Sequence, residues 1–135
     1  MKNTPITENH LFRKAYASGK SAAGKYIAVY ALKDRAAKRF ISADPLHRTR
    51  NRLGLTVGKK IGSAVERNRA KRLMREAYRL LDGEGAVSHG YLLVIAARTA
   101  ATKAKMPDIY DELSRLLGKL GLIRQAAPTQ TEWNT

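Results

Sequence analysis

The sequence contains no cysteine, so disulfide bonds and thiolate metal sites are excluded. It also has no run of about 20 apolar residues, the length needed to cross a bilayer. No apolar run follows the first residues, 1–5, and we therefore expect no secretory signal peptide. These absences predict a soluble cytoplasmic protein without a membrane partner.

Acidic residues are scarce. The chain has 11 Asp and Glu against 26 Lys and Arg, which gives a net charge of +15, and the isoelectric point is about 10.5. Such a value is typical of nucleic-acid-binding domains. A histone-like tail or a membrane-surface binder would also be basic, but here the charges are interleaved with apolar segments. At 135 residues and 44% apolar content, one domain with a modest core is expected.

Residue patterns typical of catalytic or metal sites are also missing. The three histidines are scattered without the spacing of metal ligands. Asp108, Asp111 and Glu112 are interpreted as a helix-capping cluster rather than a metal site. The glycines ahead of the central helix fit neither the dinucleotide-binding nor the P-loop pattern. We predict no catalytic residue and no metal site, and we expect the protein alone to bind no cofactor.

The clearest pattern is a strand, a basic turn and a helix. Apolar residues alternate with small ones over 53–57, the period of a half-buried strand. Ser63 stands three residues before Glu66, which is the signature of a capping box at a helix start. The helix is predicted from Ala64 to about Leu81, because nothing in between breaks it.

This helix has two different faces. At 3.6 residues per turn, its apolar residues occupy an arc of about 120° and most of its basic residues an arc of about 140°. The basic arc cannot be buried cheaply and is expected to be exposed to a polyanion. It consists of Arg67, Asn68, Lys71, Arg72, Arg75 and Arg79, with Arg69 beside it.

Periodicity and turn residues predict the other elements. They are a helix over 8–18, a polar connection over 20–25, strands over 26–32 and 91–97, and a final helix from Pro107 to about Leu120.

The first two strands are expected to pair as neighbours, although the long basic connection 33–51 separates them and leaves room for a short extra strand. The expected fold is α+β with two layers: a small mixed sheet with helices packed on it, in the order helix-strand-strand-helix-strand-helix. A single nucleic-acid-binding domain is predicted over 1–123, with a disordered tail over 124–135.

The central segment resembles a known signature. The sequence G-L-T-V-G-K-K-I-G-S-A-V-E-R-N-R-A-K-R-L-M-R-E-A-Y-R, residues 54–79, closely resembles that of the bacterial ribonuclease P protein subunit. The element order and the position of Phe12 and Tyr16 ahead of Gly19 are similar as well. The resemblance covers roughly residues 7–123, and the 33–51 connection is longer and more basic than is typical of the family.

The resemblance implies a protein that binds a large catalytic RNA, with which it removes the 5′ leader of precursor tRNA. The RNA and its Mg²⁺ ions would perform the hydrolysis, and no other protein partner is implied. The residues implied to bind the RNA subunit are Arg67, Asn68, Arg69, Lys71, Arg72, Arg75 and Arg79. Those implied to bind the leader are Phe12, Tyr16, Tyr30, Thr56, Lys59 and Lys60.

Physical chemistry agrees with these assignments but leaves alternatives open. Aromatic platforms beside basic groups are typical of single-strand binding, and Phe12, Tyr16 and Tyr30 fit that description. The same three side chains would also serve as core residues. A generic RNA-binding module would share the charge without needing a leader cleft. A self-sufficient nuclease would require a cluster of carboxylates that the sequence does not show.

Overall fold

The computed structural model describes residues 4–5, 9–34 and 51–123. The predicted tail 124–135 and most of the 33–51 connection, including any strand within it, lie outside these residues. In chain order the elements are β1 (Thr4–Pro5), α1 (Asn9–Ser18), β2 (Lys20–Ala23), β3 (Ile27–Lys33), β4 (Arg52–Thr56), a first 3₁₀ helix (Lys59–Ile61), α2 (Ala64–Gly83), β5 (Tyr91–Ala97), a second 3₁₀ helix (Thr99–Lys103) and α3 (Met106–Lys119).

The strands form one mixed sheet in the order β1-β4-β5-β3-β2. β4 runs parallel to β1 and β5, whereas β3 runs antiparallel to β5 and β2. The expectation that the first two predicted strands pair with each other is wrong, because β5 lies between them. β5 has the most continuous apolar sequence of the three, which favours the central position where both faces are covered.

Two short strands were not predicted. β2 has the sequence K-S-A-A, which the sequence analysis assigned to a polar connection. It is an edge strand whose side chains are mostly exposed, so no alternation of apolar residues marks it. β1 has only two residues and is too short for any periodicity.

Helices α2 and α3 cover one face of the sheet and enclose the main core. The predicted capping box of α2 is present: Glu66 N–H donates to Ser63 Oγ at 3.2 Å, and Ser63 N–H donates to Glu66 Oε1 at 2.9 Å. Most of the apolar arc of α2 points inward as predicted, but Leu80 is exposed. Apolar residues of α3 at helical spacing also point inward. Fully buried members of this core include Ile27, Val29, Met74, Tyr78, Leu93, Ile95, Ile109, Leu113, Leu116 and Leu117.

Helix α1 lies on the opposite face of the sheet. Its Ala15 is buried against Leu92 and Val94 of β5, and Phe12 and Tyr30 pack around them, partly buried. The α+β class, the element order and the mixed sheet are thus confirmed. The two-layer description holds for the main core, to which α1 adds a single helix on the other side.

A buried carboxylate ties α3 to the turn between β2 and β3. Glu112 is 5% exposed and accepts the backbone N–H groups of Lys25, Tyr26 and Ile27 at 2.7, 2.7 and 2.8 Å. The interpretation of Glu112 as a helix-capping residue is therefore wrong. Asp108 does cap α3, since its Oδ2 accepts the N–H of Lys105 at 2.9 Å. A carboxylate can satisfy three neighbouring donors that would otherwise be left without acceptors.

Two further polar pairs are buried where the connection between β3 and β4 begins and ends. Arg52 donates to both carboxylate oxygens of Asp34 at 2.7 and 2.8 Å. The side-chain nitrogen Nδ2 of Asn51 donates to Tyr78 Oη at 2.9 Å. Burial, with a further contribution from Asp82, raises the pKa of Tyr78, because the ionised phenolate would lose its hydration.

Candidate nucleic-acid interface

Helix α1 and the sheet bring three of the predicted leader-binding residues together. The Tyr16 and Tyr30 rings meet edge to face, with centroids 4.7 Å apart and an interplanar angle of 85°. The hydroxyl groups of Tyr16 and Thr56 lie 3.2 Å apart and form a hydrogen bond. These contacts link α1, β3 and β4 at one point, although the residues are up to 40 positions apart in the chain.

An open groove of about 540 Å³ lies at this point and is lined by Phe12, Arg13, Tyr16 and Thr56. Tyr16 is 42% exposed, so a large part of its ring is available to a ligand. Arg13 was not among the predicted residues. Its position next to Phe12 on a short helix carried no signal in the sequence beyond its charge.

For Phe12 and Tyr30, the sequence left open whether the side chain belongs to the core or to the leader cleft. Phe12 and Tyr30 are partly buried and pack against Ala15 and the β5 residues under α1. Phe12 also lines the groove and so joins the small core under α1 to it. Tyr30 does not line the groove, but its ring contacts that of Tyr16, which does.

The structure places Lys59 and Lys60 on the first 3₁₀ helix, a few residues after Thr56. Both are exposed, and neither lines the groove. They extend the positive charge from the end of β4 toward the start of α2.

The basic face of α2 is largely exposed, as its pattern predicts. Asn68, Arg72, Arg75 and Arg79 are exposed, while Arg67, Arg69 and Lys71 are partly buried. Within the described ranges, no hydrogen bond or ion pair joins the side chains of Arg72 or Arg75 to another residue. Arg67 Nε is buried and makes no hydrogen bond with any described residue.

Two members of the predicted set have partners within the chain. Arg79 forms a two-point contact with the exposed carboxylate of Glu76. Arg69 Nη1 donates to Thr102 O at 3.1 Å, and its Nη2 donates to Ala104 O at 2.8 Å. The assignment of these residues to RNA binding stays a prediction, but the Arg69 contacts with the second 3₁₀ helix carried no signal in the sequence.

Across residues 4–5, 9–34 and 51–123, no group of three His, Asp or Glu side chains is arranged to hold a metal ion. The helices in these ranges include none that is long and apolar enough to span a membrane.

Comparisons with known proteins agree on one family. The family model "Ribonuclease P" matches residues 1–121. The ribonuclease P protein component of Clostridium acetobutylicum is 36% identical over 123 residues, which cover 91% of this chain and 93% of that protein. The component from Clostridium botulinum strain Loch Maree is 38% identical over 123 residues, covering 90% and 98%. The structure of the RNase P protein of Staphylococcus aureus is similar with a TM-score of 0.70 and 25% identity, covering 91% of this chain and 100% of that one.

Proposed function

Because the chain belongs to the ribonuclease P protein family, we propose that it is the protein subunit of a cytoplasmic ribonuclease P. It binds the catalytic RNA and the single-stranded 5′ leader of precursor tRNA, and it assists removal of the leader. The observation that carries the leader assignment is the groove beside α1, where an exposed tyrosine ring stands next to a basic side chain.

The groove suits a single strand for physical reasons. The face of an exposed ring can stack with any base, and each such contact is worth about 1–3 kcal/mol in known single-strand binders. The edge-to-face contact with Tyr30 and the hydrogen bond to Thr56 hold the Tyr16 ring in one orientation. Arg13 supplies a guanidinium for phosphate on the same wall.

The exposed face of α2 suits the larger RNA. Arg72 and Arg75 have guanidinium groups that the described part of the protein leaves uncommitted, and Asn68 can reach a base or sugar edge. Neutralising several phosphates releases condensed counterions, so affinity for the RNA should fall steeply with salt. We propose that the catalytic RNA, with Mg²⁺, carries out the hydrolysis and that this chain contributes binding.

A reconstitution assay tests the proposal as a whole. The purified chain is added to a ribonuclease P RNA and precursor tRNA at low Mg²⁺, and 5′ cleavage is measured. Restored cleavage is the expected result. Binding without stimulation would favour a generic RNA-binding module, and cleavage by the protein alone would favour a self-sufficient nuclease.

Substitution of Tyr16 tests the groove. Tyr16→Leu removes the ring, and affinity of the holoenzyme for precursor tRNA should fall by about 1–3 kcal/mol. Tyr16→Phe keeps the ring without the Thr56 hydrogen bond and should lose much less. Affinity for mature tRNA and for the RNA subunit should be unchanged. The control Tyr110→Leu, on α3, should leave all of these affinities unchanged. A sharp fall in melting temperature, or an equal loss of affinity for both tRNAs, would show that Tyr16 is a core residue instead.

A further inference from the structure

The second 3₁₀ helix and the residues that follow it, 99–105, form a segment that Arg69 holds in place. The two nitrogens Nη1 and Nη2 of Arg69 each donate to a different carbonyl of this segment, those of Thr102 and Ala104. A planar guanidinium can bridge two carbonyls in this way, whereas a lysine ammonium acts as a single point charge. The third residue of the Arg-Asn-Arg sequence is thus tied to a part of the chain 33–35 residues away.

The segment has a buried side and a charged side. Ala101 and Ala104 are fully buried, which fixes the backbone against the core. Lys103 and Lys105 are exposed. The segment contacts both α2 and the first 3₁₀ helix, so it adjoins the elements that carry the predicted RNA-binding residues and Lys59–Lys60.

Lys103 ends the second 3₁₀ helix, which contacts α2. Hydrogen bonds from the backbone and side chain of Ser63 lower the pKa of Glu66, and the charge of Lys103 lowers it further. Because the segment contacts α2 and Lys103 is exposed, its ammonium group adds positive charge beside that helix.

From this arrangement we propose that residues 99–105 form a further contact for RNA phosphates through Lys103 and Lys105, and that Arg69 is the positioning residue of this contact. The proposal rests on the proposed function, because it adds an element to the same RNA-binding surface. The ligand is the phosphate backbone, which either the catalytic RNA or the precursor leader could supply.

The first test counts phosphate contacts. The double variant Lys103→Gln, Lys105→Gln is compared with wild type over a range of salt concentrations, both in binding a ribonuclease P RNA and, in the holoenzyme, in binding precursor tRNA. The slope of log affinity against log salt should become shallower by about 0.7–0.9 for each lost contact. The change is expected in the complex whose phosphates the segment contacts. The melting temperature should not change, because both side chains are exposed. The matched control Lys119→Gln, at the other end of α3, should keep the wild-type slope.

The second test separates positioning from simple contact. Arg69→Met should weaken RNA binding, and in its background the Lys103→Gln, Lys105→Gln double substitution should cost several-fold less affinity than in wild type. Arg69→Lys should not restore the wild-type value, because it cannot bridge both carbonyls. If the losses from Arg69→Met and from the lysine substitutions simply multiply, Arg69 makes an independent contact and the positioning role is overturned.

Two comparisons decide the source of the phosphates. If the lysine variant binds the isolated catalytic RNA more weakly than wild type, the segment contacts the RNA subunit. If the holoenzyme with this variant binds only precursor tRNA more weakly, and mature tRNA as tightly as wild type, the segment contacts the leader. An unchanged slope and affinity in both assays, with a wild-type protein that binds, would overturn this proposal alone. A wild-type protein that binds no ribonuclease P RNA would overturn the proposed function itself.

Discussion

Replacing Glu112 should destabilise the fold more than any other single change of a polar residue on α3. The carboxylate accepts three backbone N–H groups, and the one from Ile27 is buried. A hydrogen bond to a charged group contributes about 1.5–3 kcal/mol net, and a buried donor left unpaired costs about 1–3 kcal/mol. The ion pair with Arg115 adds little, since the Arg115 side chain is 53% exposed.

In the Glu112→Ala variant, water can reach the two partly buried donors and offset part of the loss. We therefore expect the free energy of unfolding to fall by about 3–5 kcal/mol. That is a large share of the ~5–15 kcal/mol that stabilises a typical domain. Glu112→Gln should cost about 2–3 kcal/mol, because the amide keeps one acceptor oxygen but turns an N–H₂ group toward N–H donors.

Urea denaturation followed by far-ultraviolet circular dichroism measures these losses, with the midpoint falling at an unchanged slope. Asp111→Asn, on the same helix but exposed, is the matched control and should stay within about 0.5 kcal/mol of wild type. A loss below about 1 kcal/mol for Glu112→Ala would refute the assignment of the carboxylate as the acceptor for the turn.

Gly24 provides a second, independent check. A Cβ atom at this position would collide with the Glu112 carboxyl group, so Gly24→Ala should be destabilising in the wild-type background. In the Glu112→Ala background the space is free, and the same substitution should cost much less. Equal costs in the two backgrounds would show that the turn and the carboxylate do not meet as described.

Three further outcomes are expected. Asp34→Asn should lower the free energy of unfolding in urea by about 3 kcal/mol, because it removes the negative charge that pairs with the buried guanidinium of Arg52; a loss near zero would contradict this. Asn51→Ala should cost about 2–3 kcal/mol in the same assay, since the amide satisfies several buried groups, and a neutral effect would count against that network. The hydrogen bond to Glu84, together with burial and the charges of Glu84 and Asp111, raises the pKa of Tyr110 to about 12, so Glu84→Gln should lower the pKa of this phenol in an NMR titration. An identical titration in both proteins would contradict that last prediction.

Patterns with a fixed period were predicted well from the sequence. The strand and the capped helix of the central unit, and the buried strand Tyr91–Ala97, appear where alternation and apolar runs place them. These elements are amphipathic or wholly apolar, so burial alone determines which residues face inward. The pairing of strands is different, because it depends on which strand edges are brought together in the folded chain. Local pattern says nothing about that choice.

The lining of the groove was predicted only in part. Phe12, Tyr16 and Thr56 line it as expected, whereas Arg13 was missed. The α1 aromatics and Tyr30 converge as expected, because both the helix and the strand present them toward the same face of the sheet. The hydrogen bonds of Arg69 and Glu112 could not be predicted from the sequence, since their partners are backbone groups. Every residue carries such groups, so no residue type marks them, and only the folded chain brings them within reach.

The central position of β5 has a consequence for synthesis on the ribosome. β3 and β4 are made first but do not pair with each other, and both complete their hydrogen bonding only on β5. At ~5–20 residues per second, the earlier strands wait for several seconds with unpaired edges before β5 emerges. Unpaired edges are templates for association with other chains. A nascent chain stalled before Tyr91 is therefore expected to be the most aggregation-prone form of this protein.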